Sequence, residues 1–297
     1  MSNEFHCGYV AILGRPNVGK STLLNHLIGQ KISITSRKPQ TTRHQILGIK
    51  TLESAQILYI DTPGIHKQAH HALNRYMNRV ATGAIPGVDV IVFMVDGLQW
   101  YEDDDLVLKK IETVDRPVIL AVNKIDKIAD KTALLPHLEM LSKKRQFAAV
   151  VPISAKRQAD VMALEQVIVR YLPENPPLFP EDQVTDRSER FLVAEIIREK
   201  LMRHLGKELP YALTVEIEQF KQTDKLLRIA AVIYVEKASQ KRIVIGEDGE
   251  LLKAVGTEAR LEMEKWLADK IFLQLWVKVK RGWSDDERSL QSLGYGK

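Results

Sequence analysis

Eight consecutive residues, Gly14-Arg15-Pro16-Asn17-Val18-Gly19-Lys20-Ser21, set two glycines, a lysine and a hydroxyl in the order that wraps a phosphate chain. The glycines let backbone N–H groups turn inward on the phosphates. Lys20 places an ammonium against the β- and γ-phosphates, and Ser21 offers a hydroxyl to a magnesium ion. Gly14, Val18, Gly19 and Thr22 complete the cradle. The apolar run 8–13 before it reads as a buried strand, and Leu23, Leu24, Leu27 and Ile28 after it keep helical spacing. A helix starting here adds its positive end to the phosphate site.

Asn123-Lys124-Ile125-Asp126 selects the base. It follows a second strand-like run, 116–122, so it sits at the sheet edge where open α/β folds bind ligands. The Asp126 carboxylate matches the N1–H and 2-amine of guanine, whereas adenine would leave it unpaired. Asn123 can tie the base loop to the phosphate loop, and the stem of Lys124 can cover the base. Ser154-Ala155-Lys156 follows the run 148–153, and its small residue lets the Ala155 N–H approach the guanine carbonyl.

Asp61-Thr62-Pro63-Gly64 ends the run 55–60. Asp61 is placed to hold magnesium, and the Gly64 N–H to meet the γ-phosphate. A segment tethered in this way orders with the triphosphate and relaxes after hydrolysis. Thr41 and Thr42 lie in the polar stretch 36–45, and we favour Thr42 as the hydroxyl that completes the metal shell, with Ser21 and Asp61. Lys20, Thr42, Asp61, Gly64 and Asn17 form the expected catalytic set. The residue after the Asp-Thr-Pro-Gly turn is Ile65, where Ras-type enzymes carry a water-orienting glutamine. Hydrolysis is therefore slow without a partner, or uses another group. Asn17 in the phosphate loop, together with the Thr-Thr-Arg segment at 41–43, resembles GTPases that bind a potassium ion beside the phosphates, and that resemblance makes Asn17 a candidate ligand. Arg15, Arg37 and Arg43 read as surface ion-pairing residues rather than arginine fingers, and His66 as a solvated loop histidine.

The elements that must position these groups are those of a soluble α/β chain. The 297 residues suit two domains, and 45% hydrophobic with 27% charged residues fits an ordinary globular composition. No apolar run reaches the length of a membrane-spanning helix. The first residues lack the basic and apolar regions of a signal peptide. The single cysteine, Cys7, excludes an internal disulfide and a cysteine-built zinc site. The expectation is a cytoplasmic protein, and nothing indicates a stable homo-oligomer. The net charge of +5 is a weak signal for anionic partners.

Residues 172–180 hold four of the chain's 12 prolines. This predicts domain boundaries of 1–172, a semi-rigid linker at 173–185, and a second domain at 186–297. In the second domain a helix over 190–205 is expected to end on a left-handed Gly206. Alternating strands follow at 211–220 and 226–235, then a short helix capped by Ser239. Gly246-Glu247-Asp248-Gly249 precedes a helix through Leu267 and a strand over 271–279. Ser284 is expected to cap a last helix. This order is that of an α+β type II KH domain, whose GxxG turn clamps about four single-stranded nucleotides. Lys241, Arg242, Ile245, Gly246, Glu247, Asp248, Gly249 and Lys253 are the expected RNA contacts. Two features oppose them. The domain carries 21 Lys and Arg against 19 Asp and Glu, so it is barely basic. The loop interior, Glu247-Asp248, repels phosphate, which Lys278, Lys280 and Arg281 nearby would offset.

The blocks at 14–21, 61–64, 123–126 and 154–156 resemble the translation-factor-related branch of the Ras-like P-loop GTPases. With the KH-like domain, the whole chain resembles the Era family of bacterial ribosome-assembly GTPases, notably in 14–25, 34–49, 195–206, 208–218 and 275–295. The resemblance implies binding of GTP, GDP and Mg²⁺. It also implies engagement of 16S rRNA and the small ribosomal subunit during maturation, with some peripheral membrane association. The acidic loop interior departs from the neutral or basic family loop. The alternative reading is a regulatory or membrane-associated GTPase whose second domain binds protein. A third is a GTP sensor that scarcely hydrolyses.

Overall fold

The fold follows from a computed structural model, which describes residues 5–36, 38–65, 71–206 and 209–295. It divides into two compact units, Met1–Thr35 with Thr42–Ala69 and Met77–Asp186, and Ser36–Thr41 with His70–Tyr76 and Arg187–Lys297.

The first unit is a six-stranded sheet with flanking helices. In chain order it contains β1 (His6–Leu13), α1 (Lys20–Ile28), β2 (Ile46–Thr51), β3 (Ala55–Asp61), α2 (Ala72–Gly83, whose first turn belongs to the second unit), β4 (Val90–Asp96), α3 (Glu102–Ile111), β5 (Val118–Asn123), α4 (Leu134–Ser142), β6 (Ala149–Pro152) and α5 (Gln158–Val169). The strand order is β2-β3-β1-β4-β5-β6, with β2 antiparallel to β3 and the remaining pairs parallel. The central strands are near-continuous apolar runs because helices cover both sheet faces. Strand β1 is flanked by β3 and β4, so the chain order reverses there and opens a crevice at the carboxyl edge.

Residues 173–185, expected as a linker, are laid along this unit. The Cys7 N–H donates to the Pro173 carbonyl, the Ile49 N–H to Val184, and the Gln56 side chain to Phe179. The prolines forbid helix, but the remaining backbone groups find partners at the strands.

The second unit contains α6 (Glu189–His204), β7 (Leu213–Gln222), β8 (Leu227–Val235), α7 (Ala238–Ile245), α8 (Glu250–Leu267), β9 (Ile271–Val279) and α9 (Glu287–Ser292). Strand β8 pairs antiparallel with β7 and parallel with β9. Helices α6 and α8 bury Val193, Ile197, Ala259 and Met263 against Leu213, Ile229, Ile233 and Val277 of the sheet.

Three local expectations are corrected. Gly206 is not in the left-handed region; Leu205 is extended (φ −81°, ψ 155°), and the Lys38 ammonium takes the carbonyls of Met202 and Leu205. Helix α7 begins before Ser239, and the Gln240 side chain accepts from the N–H groups of Glu236 and Lys237 at 2.9 Å. Asp286, not Ser284, caps α9, accepting from the Ser289 N–H at 2.7 Å, while the Ser284 hydroxyl donates to Glu236. In each case a competing side chain reached the free backbone group first.

Candidate functional site

The nucleotide site gathers at the carboxyl ends of five strands. Strand β1 runs into the phosphate loop, and Gly14 and Gly19 bracket its turn before α1. Lys20 is buried, and its ammonium donates to the carbonyls of Gly14 and Arg15 at 3.0 Å. Burial holds its pKa down to about 8, with the neighbouring Asp61 charge acting in the opposite sense. Such an ammonium is poised for a stronger anion.

Ser21, Thr42 and Asp61 converge. The Ser21 hydroxyl lies 2.7 Å from that of Thr42 and donates to Asp61 Oδ2 at 2.8 Å. Thr42 donates to the same oxygen at 3.3 Å. Thr41 is excluded from the cluster, its hydroxyl donating to the Lys38 carbonyl at 2.7 Å. Asp61 is 0% exposed, and burial raises its pKa despite the hydroxyls around it. Its Oδ1 is buried without a hydrogen-bond partner among the described residues. Three hard oxygen donors around an orphaned carboxylate oxygen suit Mg²⁺. Ser33, which the sequence did not single out, also belongs here, donating to Asp61 Oδ2 at 3.0 Å.

The turn after β3 closes on the phosphate loop. The Thr62 hydroxyl donates to the Ile12 carbonyl at 3.0 Å. Gly64 packs so tightly on Pro16 that a Cβ would come within 2.6 Å of its nitrogen. Ile65 is 1% exposed and belongs to the apolar core, so that position presents no group to a water at the γ-phosphate.

The base loop is tied to the phosphate loop by side chains. Asn123 Nδ2 donates to the Val18 carbonyl at 2.7 Å and Oδ1 accepts from the Ala155 N–H at 2.9 Å. Thus Ala155, expected to face the guanine carbonyl, directs its N–H to Asn123 here. Lys124 adopts a left-handed backbone (φ 65°), and its ammonium donates to the Asn17 carbonyl at 2.8 Å and to Asp96 at 2.7 Å. Asp126 is exposed, so the cost of leaving it unpaired arises once a base covers it. The Ser154 hydroxyl is the main cause of its lowered pKa, with Lys156 and Arg157 acting in the same direction, so it stays an acceptor. Ser154 is buried and its N–H donates to Asp160, while Lys156 is exposed. Thr22 stands in the first turn of α1, its carbonyl 2.8 Å from His26 Nδ1.

Asp96 is a second residue that sequence reading missed. It ends β4 and accepts from both Lys124 and Arg15, the latter at 3.0 Å. Arg15 also pairs with buried Asp104 at 3.5 Å and lies 4.2 Å above the Tyr101 ring. An apolar strand ending in aspartate at the functional edge was the available signal. Arg43 departs from its expected surface role, being 0% exposed. Asn17 is exposed with positive φ (62°). Arg37 and His66 lie outside the described residues.

The second candidate site is the 246–249 loop. Helix α7 ends as the Gly246 N–H donates to the Arg242 carbonyl at 2.9 Å. Gly246 (φ 78°), Asp248 (φ 47°) and Gly249 (φ 78°) all occupy the left-handed half of backbone space. A Cβ on Gly246 would lie 2.8 Å from that of Leu251, so the turn there requires glycine. Glu247, Asp248, Arg242 and Lys253 are exposed, and Lys241 and Ile245 half-buried. Of the cations expected to offset the loop, Lys278 pairs with Glu218 at 2.8 Å, while Lys280 donates only to the neutral Ser292 hydroxyl at 3.0 Å.

Fold and site together define a Ras-like P-loop GTPase followed by a KH domain. Residues 9–124 match the family model of the 50S ribosome-binding GTPases, and residues 208–284 that of the KH domain. The chain is 58% identical over 295 residues to GTPase Era of Pseudomonas fluorescens strain Pf-5, covering 99% of this chain and 98% of that protein. It is 57% identical to GTPase Era of Marinobacter nauticus, covering 98% and 95% of the two chains. Among solved structures, a variant of Aquifex aeolicus Era bound to GDP·AlF4⁻ superposes with TM-score 0.95 at 40% identity, over 99% of this chain and 100% of that one. Era in complex with MgGDPNP and nucleotides 1506–1542 of 16S ribosomal RNA does so with TM-score 0.95 at 41% identity and the same coverage. The chain belongs to the GTPase Era family and hydrolyses GTP.

Proposed function

We propose that this GTPase is a GTP-timed RNA clamp that binds 16S rRNA on the small ribosomal subunit during its maturation. The observation that carries the reading is the path of one peptide segment. Ser36–Thr41 is part of the second unit, where buried Arg198, itself bridged to Glu195 at 2.6 and 2.7 Å, donates to the Thr41 carbonyl. The next residue, Thr42, is part of the first unit and stands in the Ser21–Asp61 cluster. A threonine drawn toward a nucleotide-bound metal therefore pulls on a backbone held by the RNA-binding unit. The γ-phosphate's contacts with Thr42, Asp61 and Gly64 supply a coupling of about 1–3 kcal/mol.

Ser21, Thr42 and Asp61 would hold Mg²⁺, which offsets charge on the β- and γ-phosphates when bound. Lys20 adds its ammonium to the same oxygens, and Gly14, Asn17, Val18, Gly19 and Thr22 wrap the chain. Asn123, Lys124, Asp126, Ser154, Ala155 and Lys156 hold guanine. With Ile65 in the core, the attacking water takes its orientation from a group supplied by the partner or by a monovalent ion at Asn17. Hydrolysis alone is then slow, and equal GTPase rates in potassium and sodium would exclude the ion.

The RNA contacts are Lys241, Arg242, Ile245, Gly246, Glu247, Asp248, Gly249 and Lys253. The exposed left-handed turn supports this, as does the RNA-bound structure of a similar protein. Among the described residues no helix is long and apolar enough to cross a membrane, so the proposed location is the cytoplasm, with any membrane contact peripheral. The test is RNA crosslinking in cells followed by sequencing. Crosslinks at the 3′ region of 16S rRNA support the reading, and protein-only crosslinks through residues 246–253 refute it.

A further inference from the structure

The KH sheet has a second face. Alternation along β9 sends Ile271, Leu273, Leu275 and Val277 into the core under α6 and α8. Phe272, Gln274, Trp276 and Lys278 therefore point the other way, away from α6 and α8. On β8 the residues in register with them are Arg228, Ala230, Val232 and Tyr234.

This outer face carries exposed aromatic surface. Trp276 is 56% exposed and Phe272 45%. Val232, in register with Trp276, is fully buried, so the indole stands beside a covered apolar position. Cations flank the rings: the Arg228 guanidinium lies 5.6 Å from the Phe272 centroid, and the Lys280 ammonium 5.7 Å from that of Tyr234. Of the carboxylates on this face, Glu218 is engaged by Lys278 at 2.8 Å and Glu216 is exposed. Aromatic rings with flanking cations make up the larger part of what the face offers outward. Phe272 and Trp276 stand four residues apart on one strand, about 13 Å, a spacing suited to separate bases rather than one small ligand.

The geometry points to a second RNA surface on the outer face of the KH sheet, where Trp276 and Phe272 stack single-stranded bases and Arg228 and Lys280 neutralise the backbone. Aromatic side chains beside a cationic track are the general solution for unpaired bases. Cations set beside exposed aromatic rings favour RNA over a protein partner or a second copy of this chain. The inference rests on the RNA-clamp reading and extends it: the glycine-turn groove accepts about four nucleotides, and the outer face takes those beyond.

The test uses the full-length protein and two single-stranded RNA probes of 16S 3′-end sequence, a tetranucleotide and a dodecanucleotide. Trp276→Ala is expected to weaken the dodecanucleotide about tenfold while leaving the tetranucleotide unchanged. Phe272→Ala is expected to do the same more weakly, and Trp276→Phe to restore most of the loss. A 4-thiouridine dodecanucleotide should crosslink wild-type protein within residues 271–279, a readout that needs no variant to fold. Unchanged dodecanucleotide affinity in both alanine variants, or no crosslink in that segment, would overturn the second surface. So would a wild-type dimer that Trp276→Ala dissociates in sedimentation, because a second copy would then occupy the face. The clamp reading fails separately: Gly246→Asp would leave tetranucleotide binding intact.

Discussion

The nucleotide site and the glycine turn of the KH domain are built on opposite plans. Around the phosphate loop, side chains that are mostly buried and already tied to one another stand beside the backbone N–H groups of the loop. Asp61 collects Ser21, Ser33 and Thr42, and Asn123 and Lys124 hold the base loop to the phosphate loop. At residues 246–249 the proposed working group is backbone, with Gly246, Asp248 and Gly249 at positive φ, and the side chains Glu247 and Asp248 carry the wrong charge for phosphate. A site that must stabilise developing charge needs preorganised buried dipoles. A site that clamps a flexible strand needs a shape. The first is sensitive to side-chain chemistry, and the second to anything that fills or strains the turn.

Five measurements can break that contrast or sharpen it. The largest effect is expected at Asp126. Asp126→Asn should reduce GTP affinity on the order of 10⁴-fold and favour xanthosine triphosphate, read by competition binding. Retained GTP preference would remove the assigned base reader. Gly246→Asp forces a side chain against Leu251 at positive φ. RNA affinity should fall at least about tenfold with GTP affinity within about twofold, and loss of both would show that the two plans are not separable. Thr42→Ala should raise the Mg²⁺ concentration needed for tight GTP-analogue binding by about tenfold, the worth of about 1.4 kcal/mol. Thr41→Ala should not, because its hydroxyl is turned to the Lys38 carbonyl.

The fourth concerns what burial costs. Asp104 is 0% exposed, and its carboxyl is raised by burial to about 6 from an ordinary 3.8. The native state binds that proton more tightly than the unfolded chain. Its contribution to stability is therefore complete below pH 3.8 and lost as pH climbs through about 6, at most about 2–3 kcal/mol. Asp104→Asn should flatten the thermal stability profile between pH 4 and 6. An unchanged slope would place the titration elsewhere. The smallest effect is expected on the exposed loop, where Glu247→Gln should tighten RNA binding about two- to threefold at low salt and less at high salt.

What was legible in the sequence follows the same contrast. Lys20, Ser21, Asp61, Asn123 and Asp126 could be singled out because each proposed role admits few residue types. The choice between Thr41 and Thr42 needed the fold, since either hydroxyl satisfies the pattern. Ser33 and Asp96 were silent because their partners lie far away in the chain; Arg15 was readable as an ion-pairing residue, but its partner Asp96 is 81 positions away. Buried Arg43 was misjudged for a related reason, as an arginine's neighbours are invisible in sequence. In the KH domain the element order was readable from periodicity, while the caps at Gly206, Ser239 and Ser284 were not. Several groups compete for each helix end there, and tertiary neighbours decide.

The central claim is that GTP times RNA engagement. One protein preparation, loaded either with a non-hydrolysable GTP analogue or with GDP, should be titrated with labelled RNA from the 3′ end of 16S rRNA at fixed salt. The account predicts at least about fivefold tighter binding in the triphosphate state, with the difference abolished by Thr42→Ala. Equal affinity in the two states would contradict it.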